Sequence, residues 1–108
     1  MNILIVCSAN QNRSKTAEVY FQEKYPQYHF QSAGTNHQEC LKNNSQPLTE
    51  ELLIWADKVF VMENHHQKII NKHTNQKYQD KITILNIEDI YTFMQTELII
   101  TLKEKIKL

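Results

Sequence analysis

Two side chains close together in the sequence can do chemistry jointly. Cys7 ends an apolar run, Asn2 to Val6, and Arg13 follows six residues later with Ser14 directly after it. A thiolate is a nucleophile, and a guanidinium is a permanently charged planar fork that grips two oxygens of one anion. The spacer Ser8, Ala9, Asn10, Gln11, Asn12 is long enough to turn its backbone N–H groups around a centre. An N–H concavity that runs into a helix N-terminus binds oxyanions, and the same donors favour a thiolate over a thiol. Taken singly, a cysteine closing a buried strand is a small core residue and an arginine at a helix start is a solvated charge. Joined as C-x5-R between strand and helix, they make a nucleophile, an anion nest and a clamp.

The elements that must hold this stretch follow from its surroundings. Asn2 to Val6 is a short continuous apolar run, the mark of a strand buried on both faces. Ser14 is placed to cap the next helix, in which Ala17, Tyr20, Phe21 and Tyr25 recur at helical spacing until Pro26 stops the pattern. Tyr28 to Ala33 reads as a strand ending at Gly34, the single glycine, whose expected role is a positive φ. Residues 35–46 are polar and read as the longest loop, Pro47 to Ala56 as a helix with proline in its first turn, and Lys58 to Met62 as a strand. Glu63 to His73 follows as a polar helix, Ile82 to Leu85 as a strand, and Thr96 to Ile106 as a last helix. Strands alternating with helices imply an α/β fold, a parallel sheet of about four strands between helical layers, with ligands beyond the carboxyl ends of the strands.

Composition narrows the function. A chain of 108 residues fits one domain, 1–108. Apolar residues make up 41% and charged residues 22%, as in an ordinary globular protein. Twelve basic residues balance twelve acidic ones, so no global field favours nucleic acid or an anionic membrane. The opening MNILIV has no positive flank and turns polar by Ser8, which fits neither a secretory signal nor a membrane span and sets the expectation of a cytoplasmic protein. Two cysteines, Cys7 and Cys40, are too few for a disulfide framework and leave a free thiol for chemistry. His37, His65, His66 and His73, with Cys40, lack a recognised metal-ligand spacing and are expected at solvated positions, so no metal or other cofactor is implied.

The stretch VCSANQNRSKTAEVYF resembles the phosphate loop of low molecular weight protein tyrosine phosphatases, approximately V-C-x-G-N-x-C-R-S-P-x-A-E, with Cys7, Asn10, Arg13, Ser14, Ala17 and Glu18 matching. The similarity continues at SAGT (32–35), at ADKVFVME (56–63) and at LNIEDIYTFMQTELI, and so covers nearly the whole chain. The resemblance implies a flavodoxin-like three-layer fold and a metal-independent phosphatase that hydrolyses phosphotyrosine or other aryl phosphates through a phosphocysteine on Cys7. It implies that Arg13 clamps the phosphate, that Asp89 in DIY serves as general acid and base, and that Tyr91 flanks the substrate ring. It also implies that Ser14 hydrogen-bonds the thiolate, that Asn10 braces the loop, and that Ser8, Ala9, Gln11 and Asn12 line the oxyanion site. The implied partners are a phosphotyrosine protein or a small aryl phosphate, with inorganic phosphate as product, and neither nucleic acid nor membrane.

The sequence also departs from the pattern. Ala9 stands where the family has glycine, which would strain the loop if that position needs positive φ. Lys15 replaces the proline after R-S, Asn12 replaces a second cysteine, Glu88 replaces a proline before Asp89, and the segment between Gly34 and Trp55 is short. These departures keep alive a degenerate relative that binds phosphate or phosphotyrosine without turnover. An arsenate reductase would need further redox cysteines, and a phosphocysteine carrier does not normally bring the C-x5-R-S arginine.

Overall fold

The computed structural model describes residues 1–108. Four strands form one parallel sheet in the order β2-β1-β3-β4: β1 Asn2–Cys7, β2 His29–Gly34, β3 Lys58–Val61 and β4 Ile82–Ile84. Five helices accompany them, α1 Arg13–Lys24, α2 His37–Lys42, α3 Glu50–Trp55, α4 Asn64–Thr74 and α5 Thr96–Lys105. No helix is long and apolar enough to cross a membrane.

Strand periodicity sorts the core into two layers. Successive side chains point to opposite faces of a strand, so Ile3, Ile5 and Cys7 join Phe60, Ala17, Phe21, Leu98 and Leu102 on the α1 and α5 side. Leu4 and Val6 join Val59, Val61, Leu53 and Ile70 on the α3 and α4 side. The sheet is thus covered on both faces, as its uninterrupted apolar run requires. Asp57, between α3 and β3, anchors the start of β1, its carboxylate accepting the Asn2 N–H at 2.8 Å.

Three expectations are corrected. Residues 35–46 are not one loop: α2 forms within them, capped by the Asn36 side chain accepting from the Glu39 N–H at 3.2 Å. Ser14 does not cap α1. Asn12 occupies that position without a side-chain cap bond, and Ser14 lies buried in the first turn. Pro47 precedes α3, which Thr49 caps, and pairs instead with Gly34 in an isolated parallel bridge.

Gly34 also serves a different purpose from the one expected, because it is not among the residues with positive φ. A Cβ there would lie 2.5 Å from Cys40 Sγ and 2.5 Å from the Ser8 carbonyl oxygen. Gly34 is therefore required by close approach of α2 and the 8–12 loop to the end of β2.

Candidate active site

Cys7 is delivered by β1 to the carboxyl end of the sheet, and residues 8–12 turn from it into α1. The carbonyls of this loop are held from outside. The Thr35 N–H donates to Cys7 O at 3.0 Å and the Asn36 N–H to Ser8 O at 2.9 Å. Ala9 O accepts from Ser45 Oγ at 2.6 Å and from the Cys40 thiol at 3.6 Å. In a planar trans peptide the N–H opposes the C=O. The N–H groups of Ser8, Ala9 and Asn10 are therefore turned away from residues 35–45, the geometry an anion nest needs.

The left-handed position in the loop is Asn10, with φ 54°, and not Ala9. Alanine is thus tolerated at 9, and asparagine, which visits this region more readily than most residues, sits where it is needed. The buried Asn10 amide has a determined orientation. Its Oδ1 accepts the Gln46 N–H at 3.0 Å, so Nδ2 donates to Ser14 Oγ at 2.9 Å and to Ser32 Oγ at 2.8 Å. Ser32 in turn donates to Glu18. Ser14 Oγ, already accepting from Asn10, lies 2.9 Å from Cys7 Sγ and has its hydrogen free to donate to that sulfur. The hydroxyl is aimed at the Cys7 sulfur by a chain that runs to Glu18.

Arg13 is 2% exposed. Its Nη1 donates to Glu63 Oε2 at 2.6 Å and to the Ile87 carbonyl at 2.8 Å, while Nε lies 3.6 Å from Asp89 Oδ1. The ion pair and hydrogen bond from Arg13 hold the Glu63 carboxyl below the usual carboxylate range, against a smaller opposing effect of burial. Asp89 is 64% exposed on the segment between β4 and α5. That segment is bracketed by two left-handed residues, Asn86 and Met94. It is tied by Lys105 Nζ donating to Leu85 O at 2.8 Å and by the Met94 N–H donating to Thr16 Oγ1 at 2.9 Å.

The structure joins Cys7, Asn10 and Ser14 in one hydrogen-bonded chain, holds Arg13 through Glu63 and the Ile87 carbonyl, and sets Asp89 beside Arg13. Ser8, Ala9 and Asn12 are half-buried along the loop, Gln11 is exposed at its tip, and Tyr91 is half-buried against the α1/α5 core layer. A concavity of about 830 Å3 opens beside Ser8 among α2, α3 and α4, and Cys7 does not line it.

His66 was expected at a solvated position and is instead wholly buried. Its Nδ1 accepts the Glu63 N–H at 3.0 Å, so the neutral ring carries its proton on Nε2 and donates it to Ser8 Oγ at 2.9 Å. Burial, aided by the nearby charges of His65 and Arg13, pushes its pKa down to about 4. Glu63, His65 and His66 bring possible metal-binding atoms within 4.8 Å of one another. The donor set does not suit an ion, because Nδ1 of His66 is engaged as an acceptor, Nε2 carries a proton, and Glu63 Oε2 is shared between Arg13 and His65. Glu63, His66, Ser32 and Thr16 are site residues that motif spacing did not mark. Ser32, Glu63 and Thr16 lie in the stretches SAGT, ADKVFVME and VCSANQNRSKTAEVYF, which gave them no role, and His66 lies outside all of them.

No family model and no curated protein matches the sequence. Solved structures do. The solution structure of a low molecular weight protein tyrosine phosphatase from Bacillus subtilis is 30% identical, over 79% of this chain and 70% of that one, with a TM-score of 0.66. A YwlE mutant from Bacillus subtilis is 31% identical, over 79% and 71% of the two chains, also at 0.66. YwlE arginine phosphatase, as a cysteine-to-serine mutant with a phosphorylated active-site serine, is 26% identical over 96% and 92%, with a TM-score of 0.72. With this likeness over most of both chains and the four-stranded parallel sheet in common, the chain belongs to the low molecular weight protein tyrosine phosphatase family of phosphate-ester hydrolases.

Proposed function

We propose that this protein hydrolyses phosphotyrosine or another aryl phosphate monoester through a phosphocysteine on Cys7. The observation that carries the proposal is the Cys7–Ser14–Asn10 chain, with Sγ to Oγ at 2.9 Å, under a loop that leads straight to Arg13. The thiolate attacks phosphorus, the bond from phosphorus to the leaving oxygen breaks, and protonated Asp89 gives its proton to that oxygen. Loop amides and Arg13 hold the equatorial oxygens as charge develops. Water then attacks the phosphocysteine, Asp89 takes its proton, the P–S bond breaks and inorganic phosphate leaves. Ser14 donates to the sulfur as it departs.

The phosphorylated serine in the similar YwlE arginine phosphatase structure supports a phosphoryl group residing at this position. It also favours a second substrate, a phosphoarginine side chain, because that structure aligns over 92% of its length. A guanidine leaving group needs a proton as a phenolate does, so Asp89 keeps its role for either substrate. A protein with both cysteines free suits the reducing cytoplasm, where we place it.

Release of p-nitrophenol from p-nitrophenyl phosphate in EDTA tests the mechanism. Turnover in the natural protein, abolished in Cys7→Ser and lowered in Asp89→Asn, is expected. A folded protein that binds phosphate with no turnover would replace this proposal with a phosphate-binding module. Phosphotyrosine and phosphoarginine peptides offered side by side then discriminate the two substrates.

A further inference from the structure

A guanidinium keeps its charge at any pH a folded protein meets, and leaving one buried without a partner is strongly destabilising. Two carboxylates face Arg13, and they differ. Glu63 Oε2 is in close contact with Nη1 at 2.6 Å, whereas Asp89 Oδ1 lies 3.6 Å from Nε on an exposed segment. The second Nη1 hydrogen goes to the Ile87 carbonyl at 2.8 Å. Both hydrogens of Nη1 are thereby engaged by two different elements, the end of β3 and the segment after β4. Rotation of the plane would break one or both bonds. What remains is the edge formed by Nε and Nη2, the fork that matches two oxygens of a phosphoryl group, and it is the edge nearer Asp89.

The backbone of Glu63 is fixed as well. Its N–H bonds His66 Nδ1, and His66 Nε2 bonds Ser8 Oγ. The junction between β3 and α4 thus touches the loop at both ends, at Ser8 through His66 and at Arg13 through Glu63. We propose that Glu63 is the positioning residue of the phosphate clamp: it neutralises and locks Nη1 of Arg13, so that the Nε and Nη2 edge is presented to the phosphoryl oxygens. The kinetic consequence rests on the phosphatase reading above, and the binding consequence does not.

The test uses the full chain and orthovanadate, a mimic of the five-coordinate transition state, with Glu63→Gln and Glu63→Asp made alone and in an Arg13→Lys background. Misplacing a clamp by about an ångström costs on the order of 100-fold. Glu63→Gln should therefore weaken vanadate binding and lower kcat by about 10- to 100-fold with KM little changed, and Glu63→Asp should fall between. Once Arg13 is lysine there is no fork to orient, so the added effect of Glu63→Gln should largely vanish. A purely structural Glu63 would lower Tm and penalise both backgrounds by the same factor. That outcome overturns the inference, as does vanadate binding by Glu63→Gln that is unchanged or tighter. A wild-type chain that binds vanadate without turning over p-nitrophenyl phosphate refutes the phosphatase reading alone, and the affinities still decide the role of Glu63. Absence of vanadate binding by the folded wild-type chain overturns the inference.

Discussion

The two sides of the site are built differently. On the proposed phosphate side, the 8–12 loop is clasped by buried partners, with Cys7, Asn10, Arg13, Ser14 and Ser32 all under 4% exposed. On the proposed leaving-group side, the segment between β4 and α5 buries Leu85 and Ile87 but leaves Ile90 68%, Asp89 64% and Phe93 47% exposed. In the proposed mechanism the group that must be rigid to stabilise charge is preorganised, whereas the group that must meet varied leaving groups sits on an exposed stretch, 88–94, in which Tyr91 alone packs against the core. A phosphatase gains from both, since electrostatic stabilisation needs fixed dipoles and low local stability suits the part that admits substrate.

Substitutions can break this contrast, beginning with the largest effect. Cys7→Ser removes the proposed nucleophile and should lower kcat for p-nitrophenyl phosphate by about 10^4 or more, with Tm little changed because the hydroxyl retains a bond to Ser14. Asp89→Asn should lower kcat by about 100-fold and shift Tm only slightly, because its carboxylate is exposed. A large loss of Tm in Asp89→Asn would refute the asymmetry.

Asn10→Ala attacks the phosphate side without touching substrate-bearing side chains. It forces alanine into the left-handed region and strips donors from Ser14 and Ser32 and an acceptor from the Gln46 N–H. Urea unfolding should show a loss of about 3 kcal/mol, together with reduced turnover.

The smallest effect is on pH. His66 titrates at about 4 when folded and near 6.5 when unfolded, so the unfolded chain binds more protons between these values. Stability from this group is complete above the unfolded pKa and is lost as pH falls. Between pH 7 and 5 the loss should be about 2 kcal/mol. His66→Gln, which can keep an acceptor and a donor without a charge, should flatten that slope in thermal melts at constant ionic strength. A slope identical to wild type would show that His66 does not carry it.

How far the sequence discloses this site follows the same division. β1 and β3 are legible because strands buried on both faces cannot hide their apolar runs, and Cys7, Arg13 and Ser14 are legible because one continuous stretch holds them. The helix α2 was hidden by its composition, since HQECLK buries only Cys40 and is stabilised through contacts with Ala9 and Gln46. His66 reads as one more polar residue in NHHQK, and its burial comes from contact with Ser8, 58 positions away. Glu63 is likewise 50 positions from Arg13. Such pairings arise only when strand order sets the ends of β1 and β3 side by side. Gly34 shows a subtler limit: a lone glycine is conspicuous, but whether it supplies φ or space depends on neighbours that only the fold reveals.

The most direct measurement is to mix the protein with p-nitrophenyl phosphate, quench within the first turnovers, and search for the covalent intermediate by peptide mass spectrometry, using Asp89→Asn to slow its hydrolysis. The account predicts one added phosphoryl group on the peptide that contains Cys7, appearing with a stoichiometric burst of p-nitrophenol and absent from Cys7→Ser. Turnover that proceeds at full rate in Cys7→Ser, or a phosphoryl group found on another residue, would contradict it.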